Sequence, residues 1–120
     1  MESKAHLRYV RISPRKVTIV LDLIRCKPVK FAMAVLRHTP KAASEYLGKL
    51  LKSAVANAVN NHGMSESDLY ISQCFVCSAS TARRMRPVSK GRGHKILKRS
   101  SHITLMLKES VKGVSCGSKS

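Results

Sequence analysis

Arg83, Arg84, Arg86, Lys90, Arg92, Lys95, Lys98 and Arg99 crowd into one stretch, TARRMRPVSKGRGHKILKRS (81–100), which holds no acidic residue. Arginine offers a planar fork of N–H donors that bonds phosphate oxygens two at a time, and lysine offers a compact point charge. Spaced one to four residues apart, these groups suit the repeating phosphates of a polyanion better than one small anion. Gly91 and Gly93 let a partner approach the backbone closely. The apolar residues of the stretch follow no clear period, so it cannot bury a core. It reads as a long basic arm or hairpin that takes its shape from a polyanion. Two extended arms of about ten residues each reach on the order of 30 Å at ~3.3 Å per residue. That length suits a crevice rather than a flat patch.

The whole chain repeats the bias. Its 120 residues carry 23 Lys and Arg against 6 Asp and Glu, a net charge of +17. A nucleic-acid binder offsets such self-repulsion by releasing counterions from phosphates. A membrane surface is the other common polyanion, but no apolar run approaches the ~18 residues of a spanning helix. The N-terminus lacks the apolar core of a signal peptide, so a cytoplasmic location is expected. The chain is 43% apolar, enough to fold, yet only 4% aromatic and without Trp. A module that grips single strands on an array of aromatic rings is therefore not expected.

Enzyme chemistry is not legible. The six acids are scattered, and no nucleophile-elbow, phosphate-loop, dinucleotide or HExxH pattern occurs. Lys90–His94 (KGRGH) has two glycines but lacks the Lys-Ser/Thr ending of a phosphate-binding loop. Cys74 and Cys77 form a lone C-x-x-C, and residues three apart on a strand point to opposite faces, which is poor metal geometry. No catalytic residue, metal or cofactor is assigned.

The elements that must hold the arm follow from periodicity. HLRYVRI (6–12) reads as a strand with Arg8 and Arg11 interleaved. Ser13-Pro14 marks a helix start, with Val17, Val20, Leu21 and Ile24 as its buried stripe. A second helix spans 29–38, with Phe31, Ala34 and Val35 as its expected inner face. Thr39-Pro40 is expected to open a third, from about 40 to 61. Its inner face is Ala43, Leu47, Leu50, Leu51, Ala54, Val55 and Ala58, and Gly63 is its left-handed stop. Strands are expected at 69–79 and 101–109, the latter placing Ile103, Leu105 and Leu107 on one face. The fold class is α+β: three helices packed on a small three-stranded antiparallel sheet, with one long extended β-hairpin. Residues 1–110 form one domain, with the hairpin arm at about 80–100 and a flexible tail at 111–120.

ISPRKV (12–17), DLIR (22–25), KPV (27–29), SAVANAVNNHG (53–63) and KGRGHKILKRSSHIT (90–104) add a resemblance. In this order they resemble the L-twenty-two family of large-subunit ribosomal proteins, bacterial type, from about residue 6 to 109. The resemblance implies a structural, rRNA-binding role in the large subunit, support of its assembly, and a hairpin that lines the nascent-peptide exit tunnel. The implied partners are 23S-type rRNA, neighbouring large-subunit proteins and the nascent polypeptide. Neither a membrane nor a second copy of the chain is expected, and the location is the cytoplasmic ribosome.

Carried onto this chain, the rRNA contacts are Arg8, Arg11, Arg15, Lys16, Arg83, Arg84, Arg86, Lys90, Arg92, Lys95, Lys98 and Arg99. The tunnel tip is Arg84, Met85, Arg86, Pro87, Lys90, Gly91 and Arg92. The chain departs from the family pattern at Thr18, where a basic residue is common. It departs again at Cys26, where Gly commonly ends the first helix, so slight strain is expected in that turn. Cys77-Ser78-Ala79-Ser80 replaces the usual acidic pair and Gly-Pro, which bears on how the hairpin leaves its sheet. Without the resemblance, a free-standing basic protein that compacts DNA satisfies the same composition.

Overall fold

The computed structural model describes residues 2–109; the expected 111–120 tail lies outside the described residues. In chain order the elements are β1 (Glu2–Val10), α1 (Pro14–Ile24), α2 (Val29–His38), α3 (Ala42–His62), β2 (Leu69–Ser78), β3 (Ala82–Pro87), β4 (Gly93–Lys98) and β5 (Ser101–Glu109). Strands β1, β5 and β2 make an antiparallel sheet in that order, and β3 and β4 make a separate two-stranded sheet. The expected α+β architecture is therefore present.

The central position of β5 explains why its alternation is the cleanest in the chain. Ile103, Leu105 and Leu107 are fully buried, while His102, Thr104 and Met106 are only partly covered on the opposite face. The helices supply the other half of the core. Val17, Val20, Leu21 and Ile24 of α1 are buried, as are Leu47, Leu50, Leu51 and Ala54 of α3. Each large side chain so buried is worth roughly 1.5–3 kcal/mol of transfer free energy. Polar bonds fix the register of helix on sheet. The Ser3 hydroxyl donates to the Ala54 carbonyl at 3.2 Å, and Arg25 donates to the Cys74 carbonyl at 3.1 Å.

One helix face and two boundaries differ from the expectations. In α2 the buried residues are Val29, Ala32 and Leu36, whereas Phe31 and Ala34 face outward. The helix begins at Val29, and its stripe runs at three- and four-residue steps from there. Phe31 instead lies under the Lys27 ammonium, 5.8 Å from its ring centroid. Thr39 closes α2 rather than opening α3, its hydroxyl donating to the Val35 carbonyl at 2.6 Å. Helix α3 then begins at Ala42. Strand β1 begins at Glu2, earlier than its β-branched content indicates, because Glu2–Leu7 pair residue for residue with β5. Gly63 does close α3 in the left-handed region, at φ 65°.

Among the described residues, three non-glycine residues have positive φ: Tyr9 at 57°, Cys26 at 61° and Lys90 at 62°. The strain expected at Cys26, just past α1, is thus present. A left-handed residue with a Cβ costs roughly 1–2 kcal/mol.

Candidate nucleic-acid interface

The arm is a ribbon of six paired positions. Ala82 faces Lys98, Arg83 faces Leu97, Arg84 faces Ile96, Met85 faces Lys95, Arg86 faces His94, and Pro87 faces Gly93. Its tip turns through Ser89–Gly91, with Lys90 and Gly91 both at positive φ, and the Val88 amide donates to the Arg92 carbonyl at 2.9 Å. The sequence leaves the shape of the arm to a polyanion, but the backbone ladder supplies one already. Strand-like pairing needs no core when alternate backbone groups are satisfied across the ribbon and the rest face solvent.

Alternation along β3 and β4 divides the side chains between two faces. Arg83, Met85, Lys95 and Leu97 share one face; Arg84, Arg86, Ile96 and Lys98 share the other. Cations and apolar groups therefore appear on both. On the first face Met85 is 65% exposed and Leu97 46% exposed, and on the second Arg84 and Arg86 are exposed, so neither face is packed on the domain. The ion pairs among the described residues are Arg25–Asp22, Lys49–Glu45 and Lys108–Glu2. None of them uses an arm cation.

The base of the arm is tied to the domain. Cys77 and Ser78, within the atypical 77–80 segment, continue β2 and pair with His102 and Ser101. The Ala79 amide then donates to the Ser100 carbonyl at 3.0 Å, and the Ser100 hydroxyl donates to the Ser80 carbonyl at 2.6 Å. These bonds hold the two chains together where the two sheets meet.

Beside that base lies an open depression of about 430 Å³, into which Arg11, Lys16, Lys98 and Arg99 all come, along with Ser13 and Leu97. These residues are far apart in sequence and are assembled by the pairing of β1 with β5. Helix α1 starts at the same place, with no acid in its first turn and with the Ser13 hydroxyl outside any cap bond. The positive end of the helix dipole thus adds to four cations. Such a pocket fits phosphate.

The structure brings together Arg11, Lys16, Lys98 and Arg99 from the sequence-predicted set. Arg83, Arg84, Arg86, Lys90, Arg92 and Lys95 are strung along the exposed ribbon, and Arg15 is exposed on α1. Arg8 lines a different depression, on the uncovered face of the three-stranded sheet. Tyr9, in that second depression, has no sequence signal: its unusual backbone depends on a bulge that only the pairing reveals. Among the described residues no cluster of His, Cys, Asp or Glu could hold a metal, and no helix is long and apolar enough to cross a membrane. Cys74 and Cys77 are free thiols; burial pushes the Cys74 thiol up from its ordinary value.

The chain is thus a small α+β domain that carries a two-faced cationic ribbon as an arm extended from a folded body. The family model described as Ribosomal protein L22p/L17e matches residues 5–108, and the chain belongs to that family. Its relatives include the large ribosomal subunit protein uL22 of Acetivibrio thermocellus, 54% identical over 108 residues, which cover 90% of this chain and 86% of the relative. That of Clostridium beijerinckii is 50% identical over 109 residues, covering 91% and 98%.

Proposed function

We propose that this protein is a structural constituent of the large ribosomal subunit whose ribbon is embedded in 23S-type rRNA. The observation that carries the reading is the distribution of charge on the ribbon. Cations stand on both faces without acidic partners among the described residues, beside exposed Met85 and Leu97. A ribbon lying on a surface needs cations on one face only; a ribbon threaded through RNA needs them on both. The globular domain then anchors the base, with phosphates at Arg11, Lys16, Lys98 and Arg99, and with Arg8 and Arg15 as further contacts.

In this reading the tip, Arg84–Pro87 and Lys90–Arg92, reaches the wall of the nascent-peptide exit tunnel. Neighbouring large-subunit proteins are the other partners, assembly of the subunit is supported by the anchored domain, and no residue has a catalytic role. Sedimentation in moderate salt tests the main claim: the native protein travels with 50S particles. Recovery with the nucleoid instead would favour a DNA-compacting protein and sink the ribosomal reading. A photo-crosslinker placed at Lys90 tests the tip, with capture of a stalled nascent chain as the expected result and capture of rRNA alone as the contrary one.

A further inference from the structure

The uncovered face of the three-stranded sheet carries a second depression, of about 370 Å³, lined by His6, Arg8, Tyr9, Cys77, His102 and Thr104 among others. Tyr9 is its unusual member. Between Leu7 and Val10 the pairing of β1 with β5 slips, so that Arg8 and Tyr9 together stand opposite His102. Tyr9 takes the left-handed backbone of such a bulge, φ 57°, where glycine is the ordinary occupant. The residue is nonetheless 64% exposed and so gains little burial for the strain. Two contacts fix it. The Tyr9 amide donates to His102 Nδ1 at 3.1 Å, and the two rings meet edge to face with centroids 4.7 Å apart and planes at 88°. His6 Nδ1 lies 3.1 Å from Thr104 Oγ1 on the same face, leaving the floor polar. Among the described residues no acid lines the depression.

We infer that Tyr9, braced by His102, is a stacking platform for one unpaired RNA base whose phosphate is taken by Arg8. A strained residue held in one pose by its neighbours points to a role outside the fold. The perpendicular His102 ring positions the tyrosine and can cover at most one of its faces, leaving another for a partner. A base offers a π-face to a tyrosine whatever its identity, and a cation beside the ring takes the adjoining phosphate. The low aromatic content argues against an array of rings, and this site needs one. The inference rests on the rRNA-binding reading and adds to it a contact made by stacking rather than by charge.

The experiment uses the full chain and protein-free 23S-type rRNA. Tyr9→Asn removes the ring, and Asn tolerates the left-handed backbone; Tyr9→Phe keeps the ring. Tyr9→Asn should weaken binding roughly 5- to 150-fold, the range for loss of one stacked base, without changing the salt slope. Tyr9→Phe should bind like the wild type. Arg8→Ala should lower the salt slope by about one. The chain has no Trp, so Tyr9→Trp provides a unique emission that stacking should quench on binding. Wild-type affinity in Tyr9→Asn, or binding without quenching in Tyr9→Trp, overturns the platform while leaving rRNA binding intact. A thermal midpoint that falls in Tyr9→Asn with unchanged affinity assigns the ring to the fold and likewise overturns it. Failure of the wild type to bind rRNA rejects the underlying reading and the platform together.

Discussion

The Ser101 hydroxyl donates to the Ile12 carbonyl at 2.5 Å, joining the first residue of β5 to the turn that leads into α1. Ser101 is fully buried. This bond holds the returning side of the arm against the loop that carries Arg11, and so shapes the cationic depression. Ser101→Ala leaves the Ile12 carbonyl without that donor, at a cost of about 1–3 kcal/mol. Urea denaturation should show the lowered midpoint, and rRNA affinity should fall although no charge has been removed. An unchanged midpoint would mean that water replaces the hydroxyl at no cost.

The core is centred on β5. Leu105→Ala removes a fully buried side chain at the middle of the sheet and should cost about 2–5 kcal/mol. Thermal unfolding followed by circular dichroism checks this, with a change under about 1 kcal/mol as the contrary result.

How much of this is legible in sequence depends on the range of the signal. The stripes of α1 and α3, the alternation of β5 and the Gly63 stop are written in residues a few positions apart, and all are found. The inner face of α2 is not settled locally, because Phe31 and Val29 are both strongly apolar and only packing decides which of them turns inward. The start of β1 has no local mark either: Glu2–Lys4 are polar, and their strand is imposed by pairing with β5. The arm is legible as a run of charge, but its two faces become defined only with the register of β3 on β4. The convergence of Arg11 and Lys16 with Lys98 and Arg99 has no local signature at all.

Arg84→Ala combined with Arg92→Ala should leave the fold intact, since both side chains are exposed and in no ion pair among the described residues. Binding to 23S-type rRNA should weaken, with the salt slope falling by about two, close to one for each phosphate left without its arginine. A change in helical circular dichroism would show the arm to be part of the core.

Lys90 occupies a left-handed position at the tip, followed by Gly91, also left-handed. Lys90→Gly removes a strain of roughly 1–2 kcal/mol from the turn, partly offset by the backbone entropy of glycine. Amide exchange at Val88, which donates to the Arg92 carbonyl, should slow by up to about 5- to 30-fold. Faster exchange there would contradict the strain.

The Lys108 ammonium lies 2.9 Å from Glu2 across β1 and β5. Its hydrogen bond holds the Glu2 carboxyl below the ordinary value of 4.5, and Glu2 holds Lys108 above 10.5. A carboxyl lowered on folding adds stability that is complete above its unfolded value and is lost as pH falls through the folded one. A raised lysine adds stability that is present below its unfolded value and is lost as pH rises through the folded one. Glu2→Gln should therefore lower the denaturation midpoint at pH 7 and lose that effect as the solution is acidified below pH 4.5. Both groups are exposed, so the difference is small and shrinks in salt. An equal difference at pH 3 would remove the ion pair as its cause.

Among the described residues the ribbon of β3 and β4 has no third strand, so both of its outer edges keep unpaired backbone groups. Open edges invite a second copy of the chain to pair and grow into aggregates. On this arm the lysines and arginines repel another ribbon. That protection is only as long as the Debye length, ~10 Å at 0.1 M salt and ~3 Å at 1 M. Concentrated salt thus removes the repulsion, and the solubility of the free protein becomes a direct readout of its arm.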